Sequence, residues 1–154
     1  MKKSVSLLLT VFLLFTVAIF PSAASNSNVS ESTSIIHTDF GDIQVDSTLI
    51  IFDSLSRADS RSAKHTETFR YDGKVIATVT LSATFGYDGK SAWVEKSSSS
   101  HTTSGGWSYG NETIKDSGNT VFLSARLSKF LYPSVDFTLS MTYSPNGEIT
   151  STGA

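Results

Sequence analysis

Val75 to Tyr87 is the stretch that most restricts what this chain can fold into. Its odd positions are Val75, Ala77, Val79, Leu81, Ala83, Phe85 and Tyr87, all apolar or aromatic. Its even positions, Thr78, Thr80, Ser82, Thr84 and Gly86, are small or polar, with Ile76 the exception. A period of two marks a strand, because successive side chains leave a strand on opposite sides. The β-branched content suits that pleated surface. One face is predicted to be buried and the other wet, and each large buried member contributes roughly 1.5–3 kcal/mol.

The residues around this strand predict its neighbours. Thr68-Phe69-Arg70-Tyr71-Asp72-Gly73-Lys74 is echoed by Thr84-Phe85-Gly86-Tyr87-Asp88-Gly89-Lys90. Asp-Gly between alternating segments is a hairpin signal, since glycine accepts the positive φ that a tight turn requires. Val75–Tyr87 thus becomes the centre of a three-stranded meander. A two-residue loop at Asp88-Gly89 pairs Phe85 with Ala92 and turns Trp93 away from the core. A three-residue loop pairs Ala83 with Trp93 and buries it. Both registers stay open.

Further along, Ser97 to Gly106 reads as a low-complexity loop, and Trp107, Tyr109 and Ile114 mark a strand or an irregular crossing. Val121, Leu123, Ala125 and Leu127 alternate with polar residues, and Phe122 and Phe130 fall on the second face. Tyr132-Pro133 is predicted to turn the chain into the alternating run Val135, Phe137, Leu139, Met141, Tyr143. No long helical period occurs. Strands at this spacing predict an all-β antiparallel sandwich of about six to eight strands.

The first residues concern compartment. Lys2 and Lys3 precede the 16-residue apolar run Val5–Phe20, and Pro21-Ser22-Ala23-Ala24 follows. The run is short of the roughly 20 residues of a spanning helix, and small residues end it. Residues 1–24 are therefore expected to be a cleaved secretory signal peptide, leaving no stable membrane span. Residues 25–64 are expected to be flexible or weakly structured, either packing on the sheet or trimmed after export, and residues 65–154 to form the sandwich. Twelve Lys and Arg less Lys2 and Lys3 leave ten against fourteen Asp and Glu, a formal charge of −4 after cleavage. With no basic cluster, nucleic acid is not an expected partner. The chain has no cysteine, so disulfides, thiolate metal sites and cysteine nucleophiles are excluded.

Candidate chemistry is sparse. His37, His65 and His101 lack metal-ligand spacing and read as solvated side chains; no G-x-S-x-G elbow is present. Asp39, Asp42, Asp72 and Asp88 sit in turns, where aspartate caps its own backbone, and no calcium-loop motif surrounds them. Neither cofactor nor metal is expected. Trp93, Trp107 and Tyr109 are the candidate ligand-binding residues, as rings that stack on a sugar or protein surface, although a plug at one end of the core is the favoured reading of Trp107 and Tyr109, since aromatics dominate core energetics.

The leader, the Ser/Arg stretch near Arg57, the T-F-x-Y-D-G hairpin, Trp107, the S-G-N-T turn at Ser117–Thr120 and the closing Pro145-Asn146-Gly147 follow in order. This layout resembles that of small secreted all-β proteins of Gram-positive bacteria. Members of that group often carry cysteines in the later strands, which this chain lacks. The resemblance implies secretion and an all-β fold, and transfers no active residues. The expected function is a secreted, non-enzymatic binding module with an extracellular polysaccharide or protein ligand. The alternatives are a bacteriocin-like effector binding protein or lipid, and a hydrolase with an unrecognised carboxylate pair.

Overall fold

The computed structural model describes residues 27–52 and 60–154. The expected leader and its cleavage site lie outside these residues, as do positions 53–59 of the Ser/Arg stretch. Nine strands are described: β1 (Ser27–Thr38), β2 (Gly41–Phe52), β3 (Ser60–Tyr71), β4 (Lys74–Tyr87), β5 (Ala92–Thr103), β6 (Trp107–Ser117), β7 (Thr120–Lys129), β8 (Tyr132–Tyr143) and β9 (Ile149–Thr152). They form two antiparallel sheets, ordered β1-β2-β3-β4-β5 and β6-β7-β8-β9. The fold is therefore one continuous meander doubled over between β5 and β6, with one strand more than the top of the expected range. No helix occurs among the described residues, so none there is long and apolar enough to cross a membrane.

The doubling point is Ser104-Gly105-Gly106. Both glycines lie in the left-handed region, at φ 63° and 78°, where a Cβ would be strained. Ser104 N–H donates to the Ile76 carbonyl at 2.9 Å, which ties this crossing back to β4. The two sheets then meet along β5 and β6 mainly through side chains. Ser97 Oγ donates to Asp116 at 3.0 Å, Ser99 Oγ donates to Glu112 at 2.7 Å, and the His101 ring stacks on Tyr109 at 3.9 Å. Ser97–Thr103 is thus strand, where the composition suggests a loop. Its register with Ala77–Ala83 of β4 holds it there, and low apolar content hides it from a reading by period.

The first Asp-Gly turn is as expected, with Asp72 at φ 51° and Gly73 at φ 71°. These suit the two-residue turn whose twist matches flanking strands. The second differs from both expected loops. Tyr87 pairs with Ala92, leaving the four-residue loop Asp88–Ser91. The Asp88 carboxylate accepts from Lys90 N–H and Ser91 N–H at 2.9 and 2.7 Å, and these bonds hold its pKa below the usual carboxylate value. Trp93 then stands opposite Gly86 on the outer face. The indole lies so close that a Cβ at Gly86 would sit 2.5 Å from its Cε2 atom.

Of residues 25–64, those described, 27–52 and 60–64, pack on the sheet, one of the two expected outcomes, as full strands rather than weakly structured pieces. Asn28 to Thr38 pair residue by residue with Ile51 to Gly41, and β2 pairs in turn with β3. Ser60 to Lys64 belong to β3, so a boundary at 65 would cut a strand. β1 is an edge strand with mostly exposed side chains. Backbone pairing, which leaves no mark in composition, holds it in the sheet.

The core follows the alternation. Ala77, Val79, Leu81, Ala83 and Phe85 are buried, facing Val121, Leu123, Leu127, Phe137, Leu139 and Met141 of the second sheet. Phe69 and Phe137 meet across the sheets with ring centroids 4.7 Å apart. At the start of β4 the pattern slips. A bulge opposite Phe69/Arg70 shifts the register, so Ile76 is buried and Val75 is 39% exposed. One extra residue exchanges the two faces.

Candidate functional site

In a meander, alternate turns gather at one end. Here the turns at Asp39–Phe40, Asp72–Gly73, Ser104–Gly106 and Phe130–Leu131 share an end, and four aromatic rings fill the space beneath them. Phe40, Tyr71, Trp107 and Tyr132 form a closed set, every pair of centroids lying between 5.3 and 6.4 Å. Each contact adds about 0.5–1.5 kcal/mol beyond area burial. Tyr71 donates its hydroxyl hydrogen to the Phe40 carbonyl at 2.8 Å. Lys129 lays its ammonium 5.0 Å from the Tyr132 ring and 5.9 Å from that of Trp107. A cleft of about 180 Å³ opens beside this set, walled by Tyr71, Val75, Ile76, Gly105, Trp107 and Lys129.

The three candidate ligand residues do not share one exposed surface. Trp107 is 4% exposed and plugs this end of the core. Tyr109 lies two residues further on the same inner face of β6, half-buried between His101 and Phe137. Burial first, then its hydrogen bond to the Glu112 carboxylate, pushes the Tyr109 hydroxyl well above its usual pKa. Trp93 is 40% exposed near the beginning of β5. It lies at the opposite end of the molecule, roughly 30 Å away by strand rise.

Reading by composition misses the most exposed large apolar residues described. Phe130 and Leu131 are 85% and 87% exposed and form the β7–β8 turn, since Lys129 pairs with Tyr132. The turn therefore precedes Tyr132-Pro133, which begins β8, and Phe130 lies on neither sheet face. No Gly, Asn or Asp announces it. Its signal is two large apolar residues wedged between two alternating runs.

A second cluster sits inside the sandwich. His65 and Glu67, on the inner face of β3, are both 0% exposed, so His65 is not the solvated histidine its neighbours suggest. His65 Nε2 and Ser47 Oγ are 2.7 Å apart, and Glu67 Oε1 lies 4.0 Å from the same nitrogen. Glu67 Oε1 accepts from Ala154 N–H at 2.9 Å. Gly153 lies so close that a Cβ there would be 1.5 Å from this oxygen. Among the described residues, His65 Nδ1 and Glu67 Oε2 are buried without a hydrogen-bond partner. Burial holds His65 below its usual pKa, opposed by the Ser140 backbone. Burial likewise raises Glu67 to about 7, opposed by Ala154 N–H. Serine, histidine and carboxylate are the residue types of a nucleophilic triad, but there the carboxylate holds the imidazole nitrogen opposite the serine. Here both groups approach Nε2.

His37 pairs with Asp42 at 2.8 Å on the surface. Asp72 and Asp88 occupy opposite ends of β4 and form no pair. No group of three or more His, Asp or Glu among the described residues is placed to hold a metal ion. Outside the aromatic end, depressions of about 250 Å³ and 380 Å³ lie on the outer β3–β4–β5 face near Lys64 and Lys96, and where β1 and β2 part from β9. Comparison with family models, curated proteins and solved structures finds no match.

Proposed function

We propose that the protein is an exported, non-enzymatic binding module that meets its target with the end carrying Phe40, Tyr71, Trp107, Tyr132 and the Phe130–Leu131 turn. One observation carries this reading: two large apolar side chains stand almost fully in water directly above a rigid four-ring plug. Isolated exposed apolar residues are ordinary, whereas adjacent ones rimmed by polar groups mark contact surfaces. The cleft beside Trp107, at about 180 Å³, is below the roughly 300–1,000 Å³ of sites that enclose small ligands. Contact is therefore by the surface of this end, with Trp107 as scaffold.

The test is retention of the purified protein on an insoluble cell-wall polysaccharide, on immobilised protein extract and on lipid vesicles. Phe130→Ser should abolish whichever retention the wild type shows, and Trp93→Ala should leave it unchanged. Retention that depends on Trp93 and ignores Phe130 would overturn the reading.

A further inference from the structure

Leu131 adopts φ 69°, a left-handed conformation that side chains with a Cβ take only at a cost. The β3–β4 turn meets the same demand with Asp72-Gly73. At the β7–β8 turn, a strained Leu131 and an apolar pair left almost fully exposed fall together, an arrangement that folding alone does not favour. Local strain of this kind points to function.

The shape and surroundings of the turn indicate what it meets. A two-residue hairpin tip is convex, so a medium that closes around it buries it better than a preformed surface does. Directly behind it lie Trp107, Tyr132 and Tyr71, with the Lys129 ammonium over the first two rings. At the Trp107 cleft, Lys74 at the start of β4 stands beside Asp72, so Lys129 is the cation not offset by a neighbouring carboxylate there. Indole and phenol rings concentrate where lipid meets water, and lysine lays its stem on apolar surface while its charge reaches the headgroups. The backbone of the tip extends about 3–4 Å past its last paired residues, and the Phe130 and Leu131 side chains carry it into the roughly 5–10 Å depth of interfacial segments. The acidic groups of this end belong to the other sheet, Asp39 and Asp72 on its turns and Asp42 at the start of β2, with Lys74 beside Asp72. A tilt that lowers the β7–β8 turn first keeps them in water.

We propose that Phe130 and Leu131 enter the interfacial layer of a phospholipid bilayer and anchor the protein there, with Lys129 against anionic headgroups. This inference rests on the contact-end reading above and names the target as lipid.

The experiment is co-sedimentation of the full chain with phosphatidylcholine vesicles, with and without phosphatidylglycerol, alongside urea unfolding. Wild type should partition onto both vesicles, more strongly with phosphatidylglycerol. Leu131→Gly and Phe130→Ser should each lower partitioning about tenfold or more. Leu131→Gly should at the same time raise the urea midpoint, because glycine relieves the left-handed strain; misfolding would not produce that combination. Wild type that ignores both vesicles, or variants that partition like wild type, would overturn the inference. If wild type ignores vesicles but binds polysaccharide or protein through Phe130, lipid is wrong and the contact end stands. If Phe130→Ser alters binding to none of the three, both fall.

Discussion

Glu67→Gln is expected to stabilise the protein at pH 8 by about 3 kcal/mol, and to leave stability at pH 4 nearly unchanged. Burial raises the carboxyl pKa from 4.5 to about 7. Between those values the unfolded chain has released the proton and the folded chain still holds it, so wild-type stability falls as pH rises through this window. Glutamine matches the neutral acid in shape and keeps an oxygen for Ala154 N–H, without the ionisation. His65 acts in the opposite sense. Its folded pKa lies below 6.5, so stability is lost as pH drops below 6.5 and the unfolded chain takes up a proton. The two slopes oppose each other just below 6.5, leaving the carboxylate penalty alone above that. Urea midpoints of both proteins at pH 4 and pH 8 check the prediction. A destabilised Gln variant at pH 8 would mean that a charged Glu67 is held by a protonated His65.

Leu123→Asp is expected to remove the cooperative transition altogether. Leu123 is 0% exposed and pairs with Ile114 and Leu139 across β6, β7 and β8. No lysine or arginine is buried among the described residues, so a new carboxylate there meets only apolar neighbours. The loss exceeds about 4 kcal/mol, comparable with the whole stability of many domains, about 5–15 kcal/mol. Near-ultraviolet dichroism and a urea titration check it; a sigmoidal unfolding curve near that of wild type would contradict the packing described.

Strands that keep period two over most of their length were legible from the residues alone: Ala77–Phe85, Val121–Leu127 and Val135–Tyr143. Their inward sets are apolar without a break. β3 hides its orientation because two of its inward positions are His65 and Glu67, which read as surface. β1 and Ser97–Thr103 hide for a different reason, being held by backbone pairing and hydroxyl contacts rather than by an oily face. Trp93 depended on loop length, which Asp88 settles by capping two amides. The aromatic end was legible only in part. Trp107 serves there as the plug, and Phe130–Leu131 escaped because turn prediction looks for glycine, asparagine and aspartate. A strained turn of Phe and Leu departs from that rule, and such departures concentrate where function competes with stability.

The two tryptophans stand at opposite ends, and the chain has no third, which permits one direct measurement. Trp93→Phe leaves Trp107 as sole reporter, and Trp107→Phe leaves Trp93. With vesicles whose acyl chains carry bromine, Trp107 emission should be quenched and Trp93 emission should not change. Quenching of Trp93 alone would contradict contact through the aromatic end, and quenching of neither would contradict lipid as its target.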